Sequence, residues 1–105
     1  MRVYKLVPIQ AKLDHLNWNA STHRTPCFVR ALSEESARDI AQGCFVIAVE
    51  RKYLGQPIAF CPWKYAEFVE CIEVDDTNLP SLGDDELLSS DGMIYKDYDV
   101  VRVAA

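Results

Sequence analysis

The sequence predicts an α+β fold: a small three- to four-stranded mixed or antiparallel sheet with one main helix, about residues 34–50, packed on one face. Three observations predict it. A single stretch, from Ala37 to Ala48, keeps an unbroken helical apolar period. Short runs rich in Val, Ile, Tyr and Phe flank it on both sides. The chain has 105 residues, 50% of them apolar, which makes one domain (1–105) with a modest core.

Residues 2–10 alternate loosely through Val3, Tyr4, Val7 and Ile9 and read as a strand. Pro8 places that strand at a sheet edge or near its own end. Residues 11–26 are polar without a period and read as loop, with one turn of helix near 12–16. Residues 27–32 form a short strand bounded by Pro26 and Ser33. The helix follows. Ser33 is its N-cap, and Glu34 and Glu35 occupy the first turn, where the positive dipole end favours acids. Ala37, Ile40, Ala41, Cys44, Phe45 and Ala48 share one face. Gly43 is a mild defect in it, costing ~1 kcal/mol relative to Ala. Arg51 and Lys52 suit the C-terminal dipole end, and Gly55 and Pro57 stop the run.

Residues 54–63 form a loop punctuated by Gly55, Pro57 and Pro62, and 64–67 make one helical turn. Residues 68–74 carry apolar side chains on both faces, which predicts an internal strand. The stretch from Cys27 to Val74 is long enough for a right-handed crossover, so its two strands are candidates for parallel neighbours. Residues 75–92 read as a long, mobile acidic linker with a helical turn at 84–88. Residues 93–103 close the chain as a strand or bent hairpin arm.

Charge is uneven along the chain. The net charge is −5, yet residues 1–30 carry a net +4 and residues 31–105 a net −9. So acidic a chain argues against nucleic acid, because phosphate neutralisation needs a basic face. It favours a basic protein partner, whose encounter the acidic half would speed. Asp84, Asp85 and Glu86 are the candidate partner-binding residues. No apolar run approaches the ~18 residues of a membrane span, and no signal-like segment follows the charged start, so the expected location is the cytoplasm.

The four cysteines, Cys27, Cys44, Cys61 and Cys71, form no C-x-x-C pair. In a cytoplasmic chain they read as small buried hydrophobes, with Cys61 in the most accessible setting. A zinc set drawn from Cys27, Cys61, Cys71 and His23 has only one tight ligand pair, so no metal is expected. Consecutive carboxylates on a loop make no preorganised cation site. Phosphate-binding glycine loops, zinc-protease helices and nucleophile elbows are all absent from the sequence, and no cofactor is implied.

The segment at 15–24 concentrates both histidines, Trp18, two asparagines and Arg24. Trp18, Ser21, His23 and Arg24 are therefore candidate ligand-binding residues: an apolar wall, two polar anchors and a titrating ring. The competing reading has Trp18 capping the core beneath a long loop.

From Trp18 to Val74 the chain resembles a class of small uncharacterised bacterial α+β domains. The resemblance rests on Trp18-x-x-Ser21, Val29-Arg30-Ala31, Ser33-Glu34-Glu35-x-Ala37-Arg38, Pro62-Trp63 and the strand 69–74. It implies the fold and no activity. The leading expectation is thus a non-catalytic protein-interaction module whose acidic C-terminal half binds a basic partner. Pairing as a homodimer through a sheet edge or face is a further expectation, since a domain this size buries only ~65% of its unfolded surface. The alternative is a small-ligand-binding or enzymatic domain built on the loop at 15–24.

Overall fold

Hydrophobic alternation on both sides of one capped helix produces more sheet than the sequence predicts. The computed structural model describes residues 1–47, 61–75, 79 and 81–104. The elements are β1 (Arg2–Pro8), β2 (Cys27–Ala31), α1 (Glu34–Phe45), β3 (Val69–Val74), β4 (Leu87–Leu88), β5 (Met93–Lys96) and β6 (Asp99–Val103). Short 3-10 helices stand at Gln10–Lys12, Leu16–Ala20 and Pro62–Lys64. The α+β class holds, but the described residues form a sheet of six strands, in the order β3-β1-β2-β4-β5-β6, with every neighbouring pair antiparallel.

The extra strands have identifiable causes. Asp97 and Tyr98, both at positive φ, fold residues 93–103 back into the β5–β6 hairpin. Asp85, at φ 59, cannot continue a helical turn, so the turn expected at 84–88 is replaced by a bend. Leu87 and Leu88 then pair with Val29 and Phe28 on one side and with Tyr95 and Ile94 on the other. The acidic stretch therefore contributes a central strand.

β2 and β3 run parallel to each other, as the crossover predicts, but β1 lies between them. They are not neighbours, and among the described strands β3 stands at an edge rather than inside the sheet. The face of β3 that carries Glu70 and Ile72 is exposed, so its apolar content does not mark burial on both sides. Pro8 ends β1, where its missing N–H removes no central ladder bond.

α1 starts where predicted. Ser33 Oγ accepts a hydrogen bond from Ser36 N at 3.2 Å, and Glu34 and Glu35 fill the first turn. It ends at Phe45, earlier than predicted. Val46 is extended (φ −64, ψ 136) and forms a β-bridge with Ser21. Thr22 N donates to Phe45 O and Ile47 N to Ala20 O, each at 2.8 Å. Two β-branched residues in succession thus leave the helix for a strand-like pairing. Ala48, with the rest of the expected helix and its stop signals at 51–57, lies outside the described residues.

α1 lies over β1 and β2 on one face of the sheet. The main core joins Ala37, Ala41 and Phe45 of α1 to Leu6, Val29, Leu87 and Val69 of the sheet, with Trp18 and Trp63 closing its end. A smaller cluster, Leu82, Leu88 and Ile94 with Phe28 against it, forms a second core. No helix among the described residues is long and apolar enough to cross a membrane.

Candidate functional site

The loop at 15–24 folds into a knot of internal bonds rather than the lining of a pocket. His15 Nδ1 caps the 3-10 helix Leu16–Ala20 by accepting from Asn17 N at 3.1 Å. That turn drives Trp18 into the core, where it is fully buried and meets Trp63 edge-on, ring centroids 5.5 Å apart. Ser21 is buried: its Oγ accepts from Trp63 Nε1 at 2.8 Å and donates to His23 O at 2.7 Å. Arg24 staples the loop through Leu13 O and Asn19 Oδ1, at 3.1 and 3.2 Å. His23 lies between two polar side chains, those of Thr22 and Asp91. Its Nδ1 lies 2.7 Å from Thr22 Oγ1 and its Nε2 3.6 Å from Asp91 Oδ2, while its ring stacks on Phe45 at 4.3 Å. Ser89 Oγ donates to the other oxygen of Asp91. That hydroxyl, and then the charge of the neighbouring His23, hold the Asp91 carboxyl below the usual carboxylate range.

The three acidic candidates separate. Glu86 is only 7% exposed, and its Oε1 accepts from Gly83 N at 2.6 Å and from Arg102 at 2.7 Å. It pins the bend before β4 to β6. Asp84 faces solvent and lies 3.7 Å from Arg30. Asp85 is exposed and makes no ion pair among the described residues.

Asp85 instead opens onto a cleft that sequence reasoning did not anticipate. Ile40, Asp85, Asp97 and Tyr98 line a hollow of about 390 Å³. A second hollow of about 460 Å³, lined by Asp39, Gln42, Gly43, Val46, Lys64 and Tyr98, adjoins the same ring. Tyr98 therefore stands between two clefts at the tip of the β5–β6 hairpin, and it is 60% exposed. Its backbone sits at φ 71, beside Asp97 at φ 53. Both turn positions are left-handed, where Gly is the usual second residue. The ring reaches α1 because residue 43 has no side chain: a Cβ there would lie 2.0 Å from Cε1 of the ring. The glycine read as a helix defect is a seat for Tyr98. The signals present in the sequence were Gly43 within a helix and the Lys-Asp-Tyr-Asp turn, but nothing local links positions 43 and 98.

The cysteines are free thiols. Burial pushes Cys27 well above its ordinary value, Cys44 up to about 12 and Cys71 up to about 11, with Cys61 also raised. None of these four thiols has a lowered pKa suited to nucleophilic attack. Among the described residues no cluster of His, Cys, Asp and Glu is arranged to hold a metal ion. No family model, curated protein or solved structure matches this chain.

Proposed function

We propose that the chain is a non-catalytic protein-interaction module that takes up a basic segment of a partner in the paired clefts around Tyr98. The observation that carries the reading is Tyr98 itself. An aromatic ring is held exposed, in a backbone conformation that favours glycine, and shares the lining of one cleft with Asp85 and Asp97. An aromatic face flanked by carboxylates suits a Lys or Arg side chain, which gains both ion pairing and cation–π attraction. Asp39, held 3.3 Å from Lys64, supplies a third carboxylate beside the second cleft. Compared with the acidic run expected from the sequence, the reading keeps Asp85, adds Asp97, and leaves Glu86 a structural role.

The test is calorimetric titration with an oligolysine peptide at low and moderate salt. The wild-type chain binds, and binding weakens as salt screens the contact. Asp85→Asn with Asp97→Asn weakens binding about tenfold at an unchanged melting temperature, two charge-assisted contacts being lost. Equal affinity in the double variant refutes the reading.

A second reading places a small-ligand or enzymatic site at 15–24, and the Thr22–His23–Asp91 alignment favours it. It predicts that His23→Ala, at unchanged stability, abolishes binding in a small-molecule screen.

A further inference from the structure

We infer that the outer edge of β6 pairs with β6 of a second copy of this chain, antiparallel, extending the sheet across a two-fold axis. No described strand lies beyond β6. All five of its residues are exposed. Val100, Val101 and Val103 are 54%, 51% and 67% exposed, so the strand presents β-branched residues without proline or lysine, and the features that qualify its edge are one bulge and the charges of Asp99 and Arg102.

The charges on this edge complement themselves. Lys96 pairs with Asp99 and Ile94 with Arg102, and one extra residue, Val101, is accommodated by a register shift between Ile94 and Tyr95. Lys96 and Ile94 are two residues apart and so share a sheet face. Asp99 and Arg102 therefore share it too, although residues three apart in an unbroken strand would point to opposite faces. A two-fold axis between Val100 and Val101 then sets Asp99 of each copy against Arg102 of the other, on one face, with Val100 opposite Val101. Among the described residues the contacts of Arg102, to Ser81 O and Glu86, both use Nη2, which leaves Nε and Nη1 for a partner. The opposite edge of the sheet lacks this property. β3 carries two acids, Glu70 and Glu73, and no base, so two β3 edges offer no such self-complementary pairing. A five-residue edge buries little area, which places the dimer in the weak, transient class.

Sedimentation equilibrium from micromolar to millimolar concentration tests the inference. The wild-type chain shows a concentration-dependent monomer–dimer equilibrium. Val101→Lys sets two ammonium groups beside the axis and leaves a monomer throughout. Asp99→Asn keeps the shape of the strand, removes both ion pairs and weakens the dimer about fivefold. Ile72→Lys, on the β3 edge, leaves the equilibrium unchanged. Melting curves of dilute samples establish that each variant is folded. A wild-type chain that stays monomeric at millimolar concentration overturns the inference. So does a dimer that survives both β6 substitutions, or one that Ile72→Lys removes.

Discussion

Tyr98 and Gly43 each break a local preference, and each break accounts for the other. A tyrosine at φ 71 is strained, and a glycine inside a helix costs ~1 kcal/mol. Together they bring an aromatic ring onto α1 and hold it open to solvent in a cleft that Asp85 and Asp97 also line. Replacing Tyr98 by Gly gives the hairpin its preferred Asp-Gly turn, worth roughly 1 kcal/mol before the lost ring contact is subtracted. The expected outcome is a melting temperature no lower than wild type together with loss of oligolysine binding. A fall of several degrees would show that the ring serves stability instead. Gly43→Ala supplies the companion measurement. In the Tyr98→Gly background it stabilises by about 0.5–1 kcal/mol, the helix-propensity gain. With Tyr98 present the added methyl displaces the ring, so the gain shrinks or reverses and binding weakens. The difference between the two backgrounds, read by urea denaturation, is the coupling between positions 43 and 98.

At the scale of elements, the start of α1 is an independent local device. Ser33→Ala removes the side-chain acceptor for Ser36 N and costs about 1 kcal/mol, measured as a lower urea midpoint at unchanged slope. An unchanged midpoint would mean that water caps the helix equally well. This junction was legible in the sequence because capping is local chemistry: a serine, two acids and an apolar period lie within one dozen residues. The helix end was not legible, since Val46 leaves the helix to pair with Ser21, far along the chain. β3 misled for a related reason. Its alternation, Val69, Cys71, Glu73 against Glu70, Ile72, Val74, fits either an internal or an edge position. Only the strand order decides between them, and that order depends on β1 pairing with both β2 and β3. β4 is two leucines inside a run of acids, too short to carry a period. In the loop at 15–24 the sequence shows which residue types are concentrated but not where their side chains go. Their roles diverged because the 3-10 turn at Leu16–Ala20 sends Trp18 inward, and with it Ser21 to meet Trp63.

At the scale of the whole molecule, the charge imbalance along the chain is largely folded back on itself. The basic first third supplies the centre of the sheet and its connecting loop, and the acidic remainder closes around it. Arg2 meets Glu73 at 3.2 Å, Arg30 meets Asp84 at 3.7 Å, and His23 faces Asp91 at 3.6 Å. The first is an exposed pair, worth little singly and screened by salt, and the second joins a half-buried Arg30 to an exposed Asp84. The third ties the loop after the first 3-10 helices to the turn before β5, and Ser89 reinforces it from the other side. Asp91 holds its proton less readily in the folded chain than in the unfolded one. As pH falls, the unfolded chain takes up that proton first. The stabilisation from Asp91 is therefore full above the ordinary carboxylate value and is lost as pH drops through the lowered folded one. Because half of the side chain faces water, the effect is modest in size, and its sign and pH window are what identify it. Asp91→Asn, followed by urea denaturation between about pH 6 and 2, should be less stable than wild type at the upper end. The two curves should converge at the lower end, where wild-type Asp91 is itself neutral. Parallel curves across the whole range would mean that the carboxylate contributes through shape and hydrogen bonding rather than through its charge, and that the tie to His23 is incidental to folding.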